Sequence, residues 1–347
     1  MTSTMKTTAL APWFGSSRMI ASEIGKEFKG CEWVGIPFAG GMSEVPHIEA
    51  RGLLVNDLHR DVINLAAVVA NPLTRAGLIQ ELDNKIFHPD VLQESQDVCR
   101  NPDFSSPYSR ALHYFTAVWM GRSGQAGTDD EFSGNLAMRF TSSGGGSNTR
   151  YRSAIESLEA WGKTLKRCEF SCLDWRVFLA KCQDRPKHGL YVDAPWPTDG
   201  DGYKHKFTEA DQRDLAKALL RFECAKVVVR FGEHELVKEL YPESDWAWKR
   251  LTSRTQGNNA KSEFLICNRA YGAIGMKCKY GKAVQWLDGD AHQTGVLVLD
   301  ADGGMIPLPG RVPTLVLVAH SFTRELEFVE WARLSDYPSE PIPEPTK

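Results

Sequence analysis

The chain has 347 residues, 42% of them apolar and 24% charged, and 41 basic against 44 acidic side chains leave a net charge of −3. This is ordinary globular usage and excludes a disordered or fibrous chain. No apolar run reaches the roughly 20 residues of a membrane-crossing helix, and the start of the chain lacks the apolar core of a secretory signal, so a cytoplasmic protein is expected.

In chain order, residues 34–38 form a short apolar run ending at Ala39-Gly40-Gly41, and residues 53–55 form another ending at Asn56-Asp57. Brief apolar runs that stop at a glycine-rich or acidic turn are how buried parallel strands read. From about residue 71 to 150 the strand signal fades, Asn-Pro and Ser-Pro turns appear, and residues 121–146 form a loop rich in Gly, Ser and Asp. A third run, 189–192, ends at Asp193. A helix is expected over 209–221, with Thr208 as N-cap, Asp211 at the third helical position, and Leu215, Leu219 and Leu220 on its buried face. A strand is expected at 226–231. Past Asn268, residues 296–299 and 314–318 read as strands, and the proline-rich segment 338–345 as a disordered tail.

The fold class is therefore α/β, a Rossmann-like sheet with a mainly helical insertion and a β-rich C-terminal extension. The expected division is 11–70 with 168–268 as the core, 71–167 as the insertion, 269–337 as the extension and 338–347 as the tail. Eight cysteines are scattered without a Cys-x-x-Cys pair. Cys168, Cys172 and Cys182 offer a metal reading, but no matching His spacing follows, and free thiols in a reducing compartment are the better account.

Two turns carry chemistry. Phe38-Ala39-Gly40-Gly41 lets the backbone approach a ligand closely, and Asp57 at the next strand end is placed to accept from a ribose. A strand, glycine turn, helix, strand and acid in that order form the nucleoside half of a Rossmann-like fold, with a structural turn as the bland alternative. Asp193-Ala194-Pro195-Trp196 joins an acid, a proline and an aromatic at a strand's carboxyl end. The carboxylate and the Ala194 carbonyl can accept from an exocyclic amine while the ring stacks on its base, a geometry suited to attack on an electrophile. A packed Trp beside a proline turn is the alternative. Arg139, Arg150, Arg152, Lys163, Lys166 and Arg167, against Glu156 and Glu159, form either a phosphate-contacting patch or a solvated helix face.

The order of these segments resembles the D12 class of adenine-N6 DNA methyltransferases, the Dam-like family, over roughly residues 11–268. The residues concerned are Trp13-Phe14-Gly15, Phe38-Ala39-Gly40-Gly41, Asn56-Asp57, Phe170 with Asp174, Asp193-Ala194-Pro195-Trp196, Phe207 with Asp211-Gln212, and residues 262–268. The family's turn is Asp-Pro-Pro-Tyr, and here it is Asp-Ala-Pro-Trp.

The resemblance implies S-adenosylmethionine as cofactor. Trp13, Gly15, Phe38, Ala39, Gly40 and Gly41 would hold its methionine end, Asp57 its ribose and Asp174 its adenine amine. Asp193, Pro195 and Trp196 would be catalytic, with Asp193 on the target amine and Trp196 stacked on a flipped adenine. The partner implied is double-stranded DNA, contacted by Arg122, Arg139, Arg150 and Arg152, with no membrane and a monomer expected. A same-fold enzyme acting on RNA adenine or cytosine N4, or an inactive DNA-binding module, are the alternatives.

Overall fold

The computed structural model describes residues 9–101, 106–121, 125–138, 146–197, 202–254 and 260–268, and five further strands between residues 279 and 336. Arg122, Arg139 and the segment 338–347 lie outside the described residues. The fold is α/β. Its main sheet has seven strands: β1 (Trp33–Ile36), β2 (Gly52–Asn56), β3 (Cys168–Ser171), β4 (His188–Val192), β5 (Lys226–Gly232), β6 (Trp246–Arg254) and β7 (Ala260–Asn268). Their order is β3-β2-β1-β4-β5-β7-β6. The first five positions are parallel, and β7 pairs antiparallel with both β5 and β6. The arrangement is compatible with a Rossmann-like fold, whose strand order reverses where β1 meets β4.

β1, β2, β4 and β5 are short and apolar because both their faces are largely buried. Successive side chains point to opposite faces, so Tyr191, Val228 and Leu265 join one hydrophobic core while Leu190, Val227, Val229 and Ile266 join a second. The second core is completed by α7 (Trp175–Lys181), α8 (Glu209–Leu219) and α9 (Glu235–Leu240). α8 starts as its sequence predicts: the Thr208 hydroxyl accepts from the Asp211 N–H, and the Asp211 carboxylate accepts from the Thr208 N–H. Leu215 and Leu219 are buried there, but Leu220 is 62% exposed. Leu220 follows the last helical residue and sits about 140° around the axis from Leu215, so Ala216 and Gln212 fill the buried stripe instead.

The first core is built on α1 (Ala21–Glu27), α2 (Arg60–Ala70) and the helices between β2 and β3: α3 (Pro72–Asn84), α4 (Pro89–Arg100), α5 (Pro107–Met120) and α6 (Ser147–Leu165). The Asn-Pro and Ser-Pro pairs at 71–72 and 106–107 are helix starts. Proline's fixed φ suits the first helical position, and the Asn71 and Ser106 side chains accept from the Leu73 and Ser109 N–H groups. The insertion shares one continuous core with the sheet, since Tyr114, Phe115 and Trp119 of α5 pack in the same cluster as Val34 and Val55. Trp119 also donates its indole N–H to the Leu10 carbonyl at 3.1 Å.

A second expectation fails. No α-helix follows the glycine turn; the chain makes only a 3-10 turn at Val45–His47 before β2. With ten residues between Gly41 and Gly52 to bring the chain back to the start of a parallel neighbour, a helix has no room. α1, which precedes β1, packs against that turn instead.

Past Asn268 a second sheet forms from β8 (Lys279–Asp288), β9 (Ala291–Leu299), β10 (Leu315–His320), β11 (Leu326–Glu330) and β12 (Ser335–Asp336), all antiparallel in the order β11-β10-β9-β8-β12. No single helix among the described residues is long and apolar enough to cross a membrane.

Candidate functional site

The carboxyl ends of β1 to β4 meet at one edge of the sheet, and Asn56 ties three of them. Its Nδ2 donates to the Pro37 and Leu173 carbonyls at 3.0 and 2.9 Å, and its Oδ1 accepts from Ser171 Oγ and the Leu173 N–H at 2.7 and 2.8 Å. Every donor and acceptor of this buried amide is used, so the strand ends are held rigidly.

Above it, the chain turns through Ala39, Gly40 and Gly41. Asp57 staples the turn, its Oδ2 accepting from the Gly40 N–H at 2.7 Å and its Oδ1 from the His59 N–H at 2.8 Å. Burial raises the Asp57 pKa against these two hydrogen bonds. Each oxygen keeps a further lone pair, so the carboxylate can still accept from a ligand. Gly40 has φ +45°, and a Cβ there would lie 2.8 Å from the Trp13 ring. The same ring also lies against Gly127 (φ +84°), where a Cβ would lie 2.5 Å from it. Trp13 thus wedges between the β1 turn and a loop of the insertion. Phe14 N–H donates to the Ala126 carbonyl, and Gly127 N–H to Glu131 Oε2.

Glu131 carries this contact into the core. It accepts from buried His59 Nε2 at 2.8 and 3.0 Å and from Lys204 Nζ at 3.2 Å. Burial pushes the Glu131 carboxyl up, but His59, the Gly127 N–H and Lys204 together hold it below its ordinary value. His59, Asp61 and Glu131 bring possible metal-ligand atoms within 4.8 Å of one another. Arg110 already grips both Asp61 oxygens at 2.7 Å and Lys204 grips Glu131, so the cluster has its cations built in.

On the far side stands Asp193. Its Oδ2 accepts from Tyr191 Oη at 3.1 Å and from Arg230 Nη1 at 2.7 Å. Arg230 is 3% exposed; the same nitrogen donates to the Gly15 carbonyl, and Nε and Nη2 donate to Glu263 Oε2 at 3.1 and 2.9 Å. Burial raises the Asp193 pKa, outweighing the guanidinium beside it. Gln212 Nε2 donates to the Pro195 carbonyl at 2.6 Å and fixes the turn.

A cleft with about 1010 Å³ of open space, mouth included, runs between these walls. All the residues assigned to the cofactor, from Trp13 and Gly15 through Phe38 to Gly41, with Asp57 and Asp174, line it together with Asp193 and Pro195. Asp174 caps α7, accepting from the Arg176 N–H at 2.8 Å, and its side chain is 46% exposed. Near it Phe38 and Phe207 meet edge to face at 5.7 Å, with Trp175 at 6.3 Å from Phe207. Trp196 is placed differently. It is 8% exposed, packs against Gly232 and lies 5.3 Å from the Arg230 guanidinium, beneath the turn and outside the cleft lining.

Arg150 donates to the Trp119 and Gly121 carbonyls, Arg152 to the Asp83 and Lys85 carbonyls, and Arg167 to those of Ala50 and Val45, while Lys163 and Lys166 are exposed. Of the cysteines among the described residues, Cys31, Cys99 and Cys267 are buried and Cys172 is exposed. Burial pushes the Cys168 and Cys182 thiols up to about 11, which disfavours the thiolate a metal needs.

Sequence reasoning missed Arg230, Glu44 and the His59–Glu131 pair. Arg230 had a signal, a charged residue inside the apolar run of β5, where a buried cation demands partners. His59 and Glu131 are 72 positions apart and had none. No family model matches the chain, and no curated protein matches it.

Proposed function

We propose that the chain is an S-adenosylmethionine-dependent methyltransferase acting on the exocyclic amine of adenine in DNA. One observation carries this reading. Residues singled out from separate motifs, from Trp13 to Pro195, share one cleft at the carboxyl edge of a parallel sheet, beside the β1/β4 switch point.

The residues present fit the cofactor. The Gly40-Gly41 turn lines the cleft beside Trp13, Asp57 keeps acceptor capacity for ribose hydroxyls, and Asp174 offers an exposed carboxylate beside the Phe38, Phe207 and Trp175 rings for an adenine. When bound, the cofactor supplies an electrophilic methyl group on a sulfonium. Asp193 positions the amine. Its Oδ2 is occupied by Arg230 and Tyr191, so Oδ1 is the acceptor left for the substrate amine. The same carboxylate, made more basic by burial, is suited to take the proton the amine must lose.

The base must leave its helix to reach this depth. With Trp196 buried, stacking falls to Phe14 and Tyr203, an edge-to-face pair at 5.3 Å that lines the cleft next to Gly15, which shares Arg230 with Asp193.

The test is mass spectrometry of nucleosides from the DNA of a methylation-deficient bacterial host expressing the chain or its Asp193→Ala variant. N6-methyladenine present with the parent and absent with the variant is expected. Soluble parent protein that leaves DNA adenine unmodified refutes the substrate assignment and directs the same assay to RNA nucleosides.

A further inference from the structure

Glu44 has no role so far and is the least expected group in the cleft. It follows the glycine turn, is 2% exposed, and lines the cleft a few residues from Gly41. Ser17 Oγ donates to its Oε2 at 3.0 Å, while its Oε1 is buried and has no hydrogen-bond partner. The charged groups that act on it are Asp193, which repels its anion, and Arg230, which is already bonded to Asp193 and Glu263. Burial, helped by Asp193, outweighs its own main-chain N–H, Ser17 and Arg230, and pushes its carboxyl up to about 7. A buried carboxyl oxygen left without a donor costs stability unless something arrives to pair with it.

A group that pairs with this oxygen must donate a hydrogen bond, and a cationic donor would also offset the repulsion from Asp193. A metal ion would need more ligands, and the described residues bring no metal-ligating cluster together around Glu44. A sulfonium has no N–H to give. A primary ammonium has three donors. One can meet Oε1, and the Ser16 and Ser43 hydroxyls, paired with each other at 3.0 Å on the same stretch of cleft wall, have acceptor capacity for another.

We propose that Glu44 is the binding residue for the α-ammonium of the amino-acid end of the cofactor. This rests on the methyl-donor reading above and adds to it a residue that sets which ligands are held. Glu44 ionises as the ammonium docks, so docking converts an unpaired carboxyl into an ion pair and releases a proton.

The probes are S-adenosylhomocysteine, which keeps the ammonium, and its deaminated analogue, which lacks only that group. Both are titrated by calorimetry into the full chain and into Glu44→Gln, at pH 6.5, in two buffers of different ionisation enthalpy. The parent is expected to favour S-adenosylhomocysteine by tenfold or more and to release a proton on binding it, but none on binding the analogue. Glu44→Gln should bind S-adenosylhomocysteine at least tenfold more weakly, bind the analogue as the parent does, and release no proton. Equal affinity of the parent for the two probes, with no proton released, overturns the assignment while leaving the cofactor reading standing, and it does so even if the variant does not fold. A variant that weakens both probes equally also overturns it. A parent that binds neither probe overturns the cofactor reading and this assignment with it.

Discussion

Replacing Glu44 by Gln should stabilise the ligand-free protein, and by an amount that depends on pH in a defined direction. The side chain is fully buried, and its pKa rises from the ordinary 4.5 to about 7, chiefly through burial. A folded-state pKa above the unfolded value means that the folded state holds the proton more tightly. The contribution is favourable below pH 4.5 relative to higher pH, declines between 4.5 and 7, and is fully lost above 7. That displacement corresponds to about 3 kcal/mol once the carboxylate is ionised. Gln keeps the shape and can accept from Ser17, but it never ionises. At pH 8 the variant should be more stable by about 3 kcal/mol, or about 6 °C in melting temperature at roughly 2 °C per kcal/mol for a chain of this size. At pH 5 the gain should shrink to about 1 kcal/mol. Thermal melts followed by circular dichroism across this range measure it. A variant no more stable than the parent at pH 8, or a gain that does not change with pH, refutes the idea that an uncompensated buried carboxyl lines the cleft.

Arg230→Met should cost about 3–5 kcal/mol in urea titrations, because it strands Asp193 and Glu263 as buried carboxyls without their cation. Adding Glu263→Gln should recover part of that loss, and a double variant no better than the single one would count against a shared cation. Asp57→Ala removes acceptors for the Gly40 and His59 N–H groups, so it should lower stability by roughly 2–4 kcal/mol and weaken S-adenosylhomocysteine binding more than tenfold by calorimetry. Gly127→Ala places a methyl 2.5 Å from the Trp13 ring at a backbone φ of +84°, so it should weaken the same binding while the far-ultraviolet circular dichroism spectrum is retained. Unchanged affinity in that variant would show that the Trp13 wedge does not shape the pocket.

The strands that end at the cleft are legible in the sequence because their signals are local. Val34 to Phe38, Leu53 to Val55 and the valines of β5 are apolar runs cut off by turn residues. The start of α8 is legible for the same reason, since Thr208 and Asp211 make their hydrogen bonds within one turn. What stayed hidden depends on long-range pairing. Nothing around His59 announces Glu131, and nothing around Asp193 announces that Arg230 will hold one of its oxygens. Trp196 shows the limit of motif reading. An aromatic after Asp-Ala-Pro suggests a stacking face, yet Gly232 on the neighbouring strand leaves a space that the indole fills from below. Leu220 shows that a hydrophobic residue one step past a helix need not share the buried stripe that precedes it.

The loop around Gly127 belongs in sequence to the helical block between β2 and β3, yet it forms one side of the Trp13 slot, and its Gly127 carbonyl accepts from the Lys204 N–H beyond the Asp193 turn. That block is therefore not a cassette. Grafting the equivalent segment of another protein between Ala70 and Cys168 would remove a wall of the pocket along with whatever surface the block presents. The contacts made by α3 to α6 and the shape of the cleft can only be inherited, altered or lost together.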